Sequence, residues 1–156
     1  MRRSDREITD PRRIEGILAS ARYLHLGMLD GQFPYVVPMH YGYVLRGGAL
    51  SLYLHCAGEG HKLDCLRKDP HVFVEIDRGE SLIPADTPCG YGAEYESIMG
   101  RGRAVILEDT EEKRRALGIL MKTQTGRAHE ISEAMARGVT VVRVDMESYT
   151  AKARIR

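Results

Sequence analysis

Short runs of alternating apolar and polar residues, separated by tight-turn dipeptides, recur along most of this chain. The run at 24–29 leads into the Asp-Gly pair at 30–31, and the run at 49–55 follows the glycine pair at 47–48. A period of two residues is typical of strands with one buried face, and Asp-Gly is a favoured hairpin turn. The sequence therefore predicts a mainly β, antiparallel structure interrupted by small helices.

The same patterns assign the individual elements. Strands are predicted as a hairpin with arms at 24–29 and from Phe33 to Tyr43, and then from Ala49 to His55, from Val72 to Ile76, from Tyr95 to Leu107, from Val139 to Val144 and from Tyr149 to Ile155. Helices are predicted from about Pro11 to Ala21, from about His61 to Arg67, after the capping residues Asp109 and Glu112, and from about Ala128 to Arg137.

Prolines and glycines mark the segments that are expected to be irregular. Pro38 removes a ladder hydrogen bond, so the strand should be irregular there. Gly100 and Gly102 are expected at bulges in the long strand that contains them. The segment from Arg78 to Gly92 has two prolines, three glycines and little periodicity, so we expect a mobile loop.

The number and spacing of the strands favour one fold class. About six or seven short strands, joined mostly by tight turns, favour an antiparallel barrel over a doubly wound sheet. A GxGxxG nucleotide motif is missing, because Val105 follows Gly100 and Gly102 where a third glycine would be needed. With 156 residues, 43% of them hydrophobic, the chain suits a single domain over 1–156 of the α+β class, mainly β with small helices.

Charge, cysteine content and motifs exclude several classes of protein. The 23 basic and 22 acidic residues nearly cancel, so no overall field would attract nucleic acid or an anionic membrane. No apolar run suits a signal peptide or a membrane span, and we expect a cytoplasmic protein. Three cysteines without a CxxC pair predict reduced thiols. No GxSxG motif and no serine, histidine and acid arrangement indicates hydrolysis.

The segment from Tyr53 to Lys62 is a strand that enters a glycine-containing turn and opens a helix. Backbone amides and the helix dipole at such a turn can hold an anion, and Lys62 adds a positive charge. One interpretation is therefore a phosphate seat formed by Gly60, His61 and Lys62. The other is that Gly58 and Gly60 only turn the chain while Lys62 lies in solvent.

Two histidines and two cysteines near this turn could also suggest a metal site. His61 and Cys65 are four residues apart on a helix and would share a face, but the adjacent His55 and Cys56 should point to opposite sides of a strand. This geometry disfavours a closed zinc site, and no metal is expected. Haem ligation by either histidine stays open as an alternative.

The segment around Pro38, Tyr-Val-Val-Pro-Met-His-Tyr, is expected to expose backbone groups because proline interrupts normal pairing. A planar heterocycle could use these groups for edge hydrogen bonds, with Met39 or Tyr41 packing on a ring face. The alternative is a plain edge strand protected by its proline. Arg101 and Arg103 share a strand face, where they either bind an anion or a partner's carboxylate or form a solvated surface.

Taken together, these segments resemble the nitroimidazole-resistance branch of the pyridoxamine 5′-phosphate oxidase-like flavoproteins. The resemblance rests on the initial Met-Arg-Arg and Ile-Leu helix, on the Pro38 segment, on residues 53–64, and on residues 95–104 followed by Glu-Glu-Lys at 111–113. It covers nearly the whole chain, and the order of the segments is more specific than any one of them. The fold that it implies is an antiparallel split β-barrel of the FMN-binding type.

Membership in this branch would imply a homodimer with two flavin mononucleotide (FMN) sites at the subunit interface. His55 would lie beside the flavin, facing the substrate space, as a candidate proton donor. The residues carried over as cofactor contacts, besides His55, are Val37, Pro38 and Met39 at the ring, Gly60, His61 and Lys62 at the phosphate, and Ser97 across the dimer.

The chain departs from the true pyridoxamine phosphate oxidases at its C-terminal end. Those enzymes carry a Trp-Arg-Leu-type segment that helps to bind substrate, whereas this chain contains no tryptophan. Oxidation of vitamin B6 is therefore not the expected reaction. What the resemblance to the nitroimidazole-resistance branch implies is an oxidoreductase in which reduced flavin passes electrons to a small planar acceptor such as a nitroaromatic. Two alternatives stay open: a flavin- or haem-binding sensor or storage module without turnover, and a deazaflavin-dependent reductase of the same fold.

Overall fold

The computed structural model describes residues 3–79 and 81–155. Its strands are β1 (Glu7–Ile8), β2 (Leu24–Asp30), β3 (Phe33–Met39), β4 (Gly42–Arg46), β5 (Ala49–Cys56), β6 (His71–Arg78), β7 (Leu82–Ile83), β8 (Gly92–Ala93), β9 (Tyr95–Leu107) and β10 (Thr140–Arg154). Its α-helices are α1 (Pro11–Ser20), α2 (His61–Lys68), α3 (Thr110–Thr125) and α4 (Glu133–Arg137). Single 3-10 turns cover Ser4–Arg6 and Pro88–Gly90.

The main sheet is antiparallel and has the strand order β3-β2-β6-β9-β10-β5-β4, with β1 added along β10. Strands β7 and β8 form a separate small hairpin. Tyr35 on the edge strand β3 lines the same pocket as Cys56 at the end of β5, which is close to the other edge of the sheet. The sheet is therefore curled, so that its two edges approach each other. The predicted fold class is confirmed as an antiparallel split barrel that is not closed into a complete ring.

Alternate residues of the strands fill two hydrophobic cores. Leu52 and Leu54 of β5 are fully buried in the main core, as the sequence predicts. Strand β10 serves both cores, since Val142 points into the main core and Val141 into the second. The buried members of the second core, between the sheet and α3 and α4, are Leu107, Ala116, Leu117, Ala136 and Val141.

Side chains cap the N-termini of three helices. Asp10 precedes α1, Asp109 precedes α3 and Ser132 precedes α4, and each accepts a hydrogen bond from a first-turn amide, at 3.0, 2.8 and 3.2 Å. These caps agree with the predicted starts of α1 and α3. Within the described ranges, every helix is too short or too polar to cross a membrane.

The predicted second hairpin arm, from Phe33 to Tyr43, divides into two strands. β3 ends at Met39, and Tyr41 leaves the sheet with its buried hydroxyl donating to the carbonyl of Leu18 at 2.8 Å. Gly42 then passes so close to α3 that a Cβ there would lie 2.5 Å from the helix backbone. Packing against α1 and α3 therefore carries the chain to the opposite edge of the sheet, where β4 pairs with β5.

The breaks in strand pairing that the sequence predicts at Pro38, Gly100 and Gly102 are not found at these residues. β3 pairs with β2 in unbroken register, because an edge strand can direct a missing N–H away from its single partner. The register shift instead lies in β10, between Met146 and Ser148. The two glycines face this bulge, and a Cβ at Gly100 would lie 2.2 Å from the carbonyl oxygen of Ser148.

Three other predictions change in extent. The segment from Arg78 to Gly92 includes β7 and the Pro88–Gly90 turn, while Glu80 lies outside the described residues; its mobility stays a prediction. The helix predicted from Ala128 shortens to α4, because the Ser132 cap starts it late. The two predicted C-terminal strands are one strand, β10, since its bulge absorbs the break in the pattern.

Candidate functional site

The turn between β5 and α2 presents unpaired backbone donors. Gly60 has a φ of 137°, a conformation that favours glycine, and no side chain caps the helix that follows. The amides of Leu63 and Asp64 donate to the carbonyl of Gly60 at 2.9 and 3.3 Å, whereas those of His61 and Lys62 have no acceptor among the described residues. Free amides at the positive end of the helix dipole favour an anion.

A pocket of about 220 Å³ opens beside this turn. Its lining residues come from β3, the end of β5 and the start of α2: Tyr35, Cys56, Ala57, Glu59, Gly60, His61, Lys62 and Leu63. The pocket therefore joins the two segments that the sequence analysis selected as cofactor-binding. The predicted site residues outside its lining are Val37, Pro38, Met39, His55 and Ser97.

The imidazole of His61 is held by groups from three elements. Its Nε2 lies 2.8 Å from Oδ2 of Asp30 at the end of β2, and 3.7 Å from Sγ of Cys65 on the next turn of α2. The ring of Tyr35 meets it edge-on at a centroid distance of 5.0 Å. The predicted shared face of His61 and Cys65 is confirmed, and Asp30 is a partner that the sequence analysis did not identify.

Lys62 is half-buried and has no hydrogen bond or ion pair among the described side chains. Partial burial lowers the pKa of His55 below its ordinary value, and the charges of His40 and Lys62 lower it further. Burial raises the pKa of the Cys56 thiol, while Lys62 acts to lower it. Charges at the end of β3 and at the start of α2 therefore act on His55 at the end of β5. Because its pKa is lowered, the imidazole of His55 is neutral near pH 7.

The backbone of β3 is available at the free edge of the sheet, since this strand pairs only with β2. Val37 is half-buried and Pro38 exposed, whereas the side chain of Met39 is buried. Tyr41 is fully buried as well. A heterocycle at this edge would therefore meet backbone groups rather than a face of Met39 or Tyr41.

Ser97 carries an unsatisfied polar atom. It lies on β9 opposite Asp77 of β6 and Lys152 of β10, is only 5% exposed, and its Oγ has no hydrogen-bond partner among the described residues. A buried hydroxyl without a hydrogen-bond partner lowers the stability of the fold by about 1 to 3 kcal/mol. A ligand or a second chain that supplied a partner for this hydroxyl would gain that free energy on binding.

The outer face of the sheet exposes apolar residues in a row across the strands. Val36, Gly27, Phe73 and Arg101 lie directly opposite one another on β3, β2, β6 and β9, so the side chains of Val36, Phe73 and Arg101 share this face. Val36 is 54% exposed and Phe73 47%. Arg101 and Arg103 are both exposed, which is compatible with either of the two roles considered for them.

A family model described as pyridoxamine 5′-phosphate oxidase matches residues 10–153. The chain belongs to this family. No curated protein matches it.

Among solved structures, a candidate 5-nitroimidazole antibiotic resistance protein from Bacteroides thetaiotaomicron is 36% identical, with a TM-score of 0.80, and the match covers 94% of this chain and 86% of that one. It assigns the chain to the nitroimidazole-resistance branch of the pyridoxamine 5′-phosphate oxidase family, as the sequence predicts.

Two more distant structures share the fold. An FAD- and haem-binding protein from Mycobacterium smegmatis is 15% identical with a TM-score of 0.81, covering 97% of this chain and 74% of that one. An FAD-binding protein from Mesorhizobium loti is 20% identical with a TM-score of 0.66, covering 94% of this chain and 96% of that one.

Two residues of this oxidase-family chain were missed as neighbours of the predicted phosphate seat. Tyr35 was noted only as part of the Pro38 segment, and Asp30 only as a turn residue. Both reach the start of α2 because the β2–β3 hairpin bends over it. Neither contact has a local signal in the sequence, since Asp30 and His61 are 31 residues apart.

Proposed function

We propose that this protein binds FMN at the open start of α2 and passes electrons from the reduced flavin to a small planar acceptor such as a nitroaromatic. The observation that carries the proposal is the uncapped turn at Gly60, with two unpaired amides and the unpaired cation of Lys62 beside one pocket. The resemblance to a candidate 5-nitroimidazole resistance protein supports the acceptor class. FMN is preferred to FAD because a terminal phosphate matches such an anion seat.

The chemistry of the donors suits a phosphate dianion. The backbone amides of His61 and Lys62 would donate to its oxygens, and the Lys62 ammonium would add a charge-assisted bond. Glycine at position 60 keeps this approach open, since no atom lies within 4 Å of a Cβ position there. Oδ2 of Asp30 lies 2.8 Å from Nε2 of His61, and this contact orients the imidazole.

The free edge of β3 would receive the flavin ring through backbone groups of Val37, Pro38 and Met39. His55 would face the acceptor at the end of β5. Bound FMN would supply the electron-transfer chemistry, and the protein would orient the acceptor, exclude water and hold a proton on the His55 imidazole. Because its pKa is lowered, His55 is neutral at rest and must gain a proton before it can donate one.

A homodimer would complete these sites. The exposed apolar residues Val36 and Phe73 lie on the outer sheet face beside Arg101, a surface suited to a second copy of the chain. By its register on β9, Ser97 belongs to the same face, and a small shift of the side chains that cover it would let its unsatisfied Oγ reach a partner in the other subunit or its flavin. Each flavin would then be held by residues of both protomers.

The proposal is tested by adding FMN, FAD, a deazaflavin or haem to the purified protein and recording absorbance and dimer mass. Mass spectrometry of any ligand that co-purifies identifies the natural cofactor. We expect one FMN per chain in a dimer, and oxidation of the reduced flavin by a nitroarene. Preferential binding of haem or a deazaflavin, or no binding of FMN at saturation, would contradict the cofactor assignment.

A further inference from the structure

Three ligand-type side chains converge beside the start of α2. The Nε2 atom of His61, Oδ2 of Asp30 and Sγ of Cys65 all lie within 4.8 Å of one another. His61 and Cys65 lie on adjacent turns of α2, and Asp30 is the last residue of β2. The sequence analysis found the His61–Cys65 pair but no third ligand, because it sought one among His55 and Cys56.

The spacing suits a tetrahedral divalent ion. With Zn–N and Zn–S bonds of about 2.0 and 2.3 Å, tetrahedral angles separate the two ligand atoms by about 3.5 Å. The observed distance from Nε2 of His61 to Sγ of Cys65 is 3.7 Å. Oδ2 of Asp30 lies at hydrogen-bond distance, 2.8 Å from Nε2 of His61. A rotation of this half-exposed carboxylate that moves the oxygen by about half an ångström would give the nitrogen-to-oxygen distance expected of two ligands on one metal ion.

Burial and charge also suit a cation. Cys65 is 2% exposed and held by the main core, while the side chain of His61 is 52% exposed, so an ion can approach from solvent and keep a fourth position for water. The charges near the thiol are Asp30, Asp64 and Lys68, which leave a net negative charge. A thiolate and a carboxylate would together neutralise a divalent ion.

We propose that Asp30, His61 and Cys65 form an open three-ligand site for a divalent transition metal such as zinc. Mixed nitrogen, oxygen and sulfur donors match the preferences of zinc and cobalt rather than magnesium or calcium. On binding, the Cys65 thiol loses its proton to the buffer, the Nε2 lone pair of His61 binds the metal, and the imidazole proton resides on Nδ1. The phosphate seat uses the backbone amides and Lys62, so the metal site does not depend on the flavin proposal.

A second group of this type, His25, Glu75 and Asp77, lies on the outer sheet face and contains no thiol. In this group, Nδ1 of His25 lies 2.9 Å from Oε2 of Glu75. Thiolate coordination is therefore the signature that separates the proposed site from exposed histidine and acid pairs.

The test is a Co²⁺ titration of the purified full chain, with and without FMN, monitored by the near-ultraviolet thiolate-to-cobalt charge-transfer band and by proton release. We expect one ion per chain, about one proton released, and the band in the wild type. Cys65→Ser should abolish the band and weaken cobalt binding at least about tenfold, because even outer partners of metal ligands cost that much. Asp30→Asn, at a surface position, tests the same site without disturbing the core.

Matched controls define the failures. Cys56→Ser removes the neighbouring thiol, and His71→Asn removes a histidine that pairs with Asp69 at 2.6 Å but belongs to neither three-residue ligand group of the described residues. Both should keep the band and the affinity. A band that persists in Cys65→Ser, is lost in Cys56→Ser, or is absent from the wild type would overturn the site. Unchanged FMN affinity in Cys65→Ser is expected, and it assigns the loss of the band to the missing thiolate rather than to unfolding of the variant.

Discussion

The N-termini of α2 and α3 differ in one respect that bears on function. At α3, Asp109 accepts the amide of Glu112 at 2.8 Å, so the helix start is closed by its own chain. At α2, Gly60 offers no side chain, and two amides lack acceptors among the described residues. The start of α3 is satisfied by its own chain, whereas the start of α2 has room for the anion that we propose there.

The same contrast holds for charged side chains. Glu96 is 8% exposed but accepts hydrogen bonds from Arg13 at 2.8 Å and Arg78 at 2.7 Å. Burial acts to raise its pKa, but the two guanidiniums outweigh it and hold the pKa of Glu96 below its ordinary value. Lys62 has no such partner among the described residues. An unpaired cation beside free amides is the feature on which the proposed anion site rests.

The largest effect should come from the chemistry beside the uncapped turn. If His55 donates a proton to the acceptor, His55→Ala should slow acceptor reduction by about 10² to 10⁴-fold while flavin stays bound. The measurement is single-turnover oxidation of reduced flavin by a nitroarene, normalised to bound flavin. Equal rates in wild type and variant would leave His55 as a wall residue.

The pH dependence of this step follows from the direction of the His55 shift. Donation needs the imidazolium, and the pKa lies below its ordinary value near 6.5, so the single-turnover rate should still be rising as the pH falls below that value. His40→Ala removes one cause of the shift and should move the profile to higher pH without lowering its plateau. A profile that His40→Ala does not move would argue against this electrostatic coupling.

The next effect concerns the unpaired cation. Lys62→Ala should weaken FMN binding roughly ten- to a hundredfold, because a charge-assisted phosphate contact contributes about 1.5 to 3 kcal/mol. Lys113→Ala, in the first turns of the capped helix α3, is the matched control and should leave affinity unchanged. Fluorescence titration of both folded variants measures the difference. Equal affinities would remove Lys62 from the site.

A smaller effect is expected from the turn itself. Gly60→Ala places a side chain at a φ of 137°, which costs on the order of 1 to 3 kcal/mol unless the turn relaxes and displaces the amides. We expect a lower melting temperature and a loss of FMN affinity of about tenfold. Gly58→Ala has equally open space and no positive φ, so it should change neither. Identical behaviour of the two variants would show that the Gly60 conformation is not needed.

The smallest effect on binding should come from the closed helix end. Asp109→Ala removes the α3 cap and should lower the free energy of unfolding by about 1 kcal/mol, measured by urea denaturation, without changing FMN affinity. A comparable loss of affinity in this variant would mean that the two helix ends are coupled, and the contrast between them would fail.

Local patterns predicted those elements whose signals are local. β9 has the predicted bounds, and the Asp109 cap is where the sequence places it, because alternation and capping act within a few residues. The division of β3 from β4 was missed, since it depends on Tyr41 packing against α1 and on Gly42 meeting α3. No sequence window contains both sides of such contacts.

The candidate site shows the same division. Gly60, His61 and Lys62 could be selected from one turn, and among the described residues the amides of His61 and Lys62 have no acceptor. The pairing of His61 with Asp30 and the unsatisfied Oγ of Ser97 depend on how the sheet curls and on which strands lie side by side. Family resemblance suggested Ser97, but its burial without a partner could be seen only in three dimensions.

The central claim is that the uncapped start of α2 binds the flavin phosphate, and the most direct test compares FMN with riboflavin, which lacks that phosphate. Both affinities are measured by fluorescence titration for the wild type and for Lys62→Ala. We predict that the wild type prefers FMN by at least about tenfold, and that the preference shrinks in the variant while riboflavin affinity stays the same. Equal affinities of the wild type for the two flavins would contradict the claim.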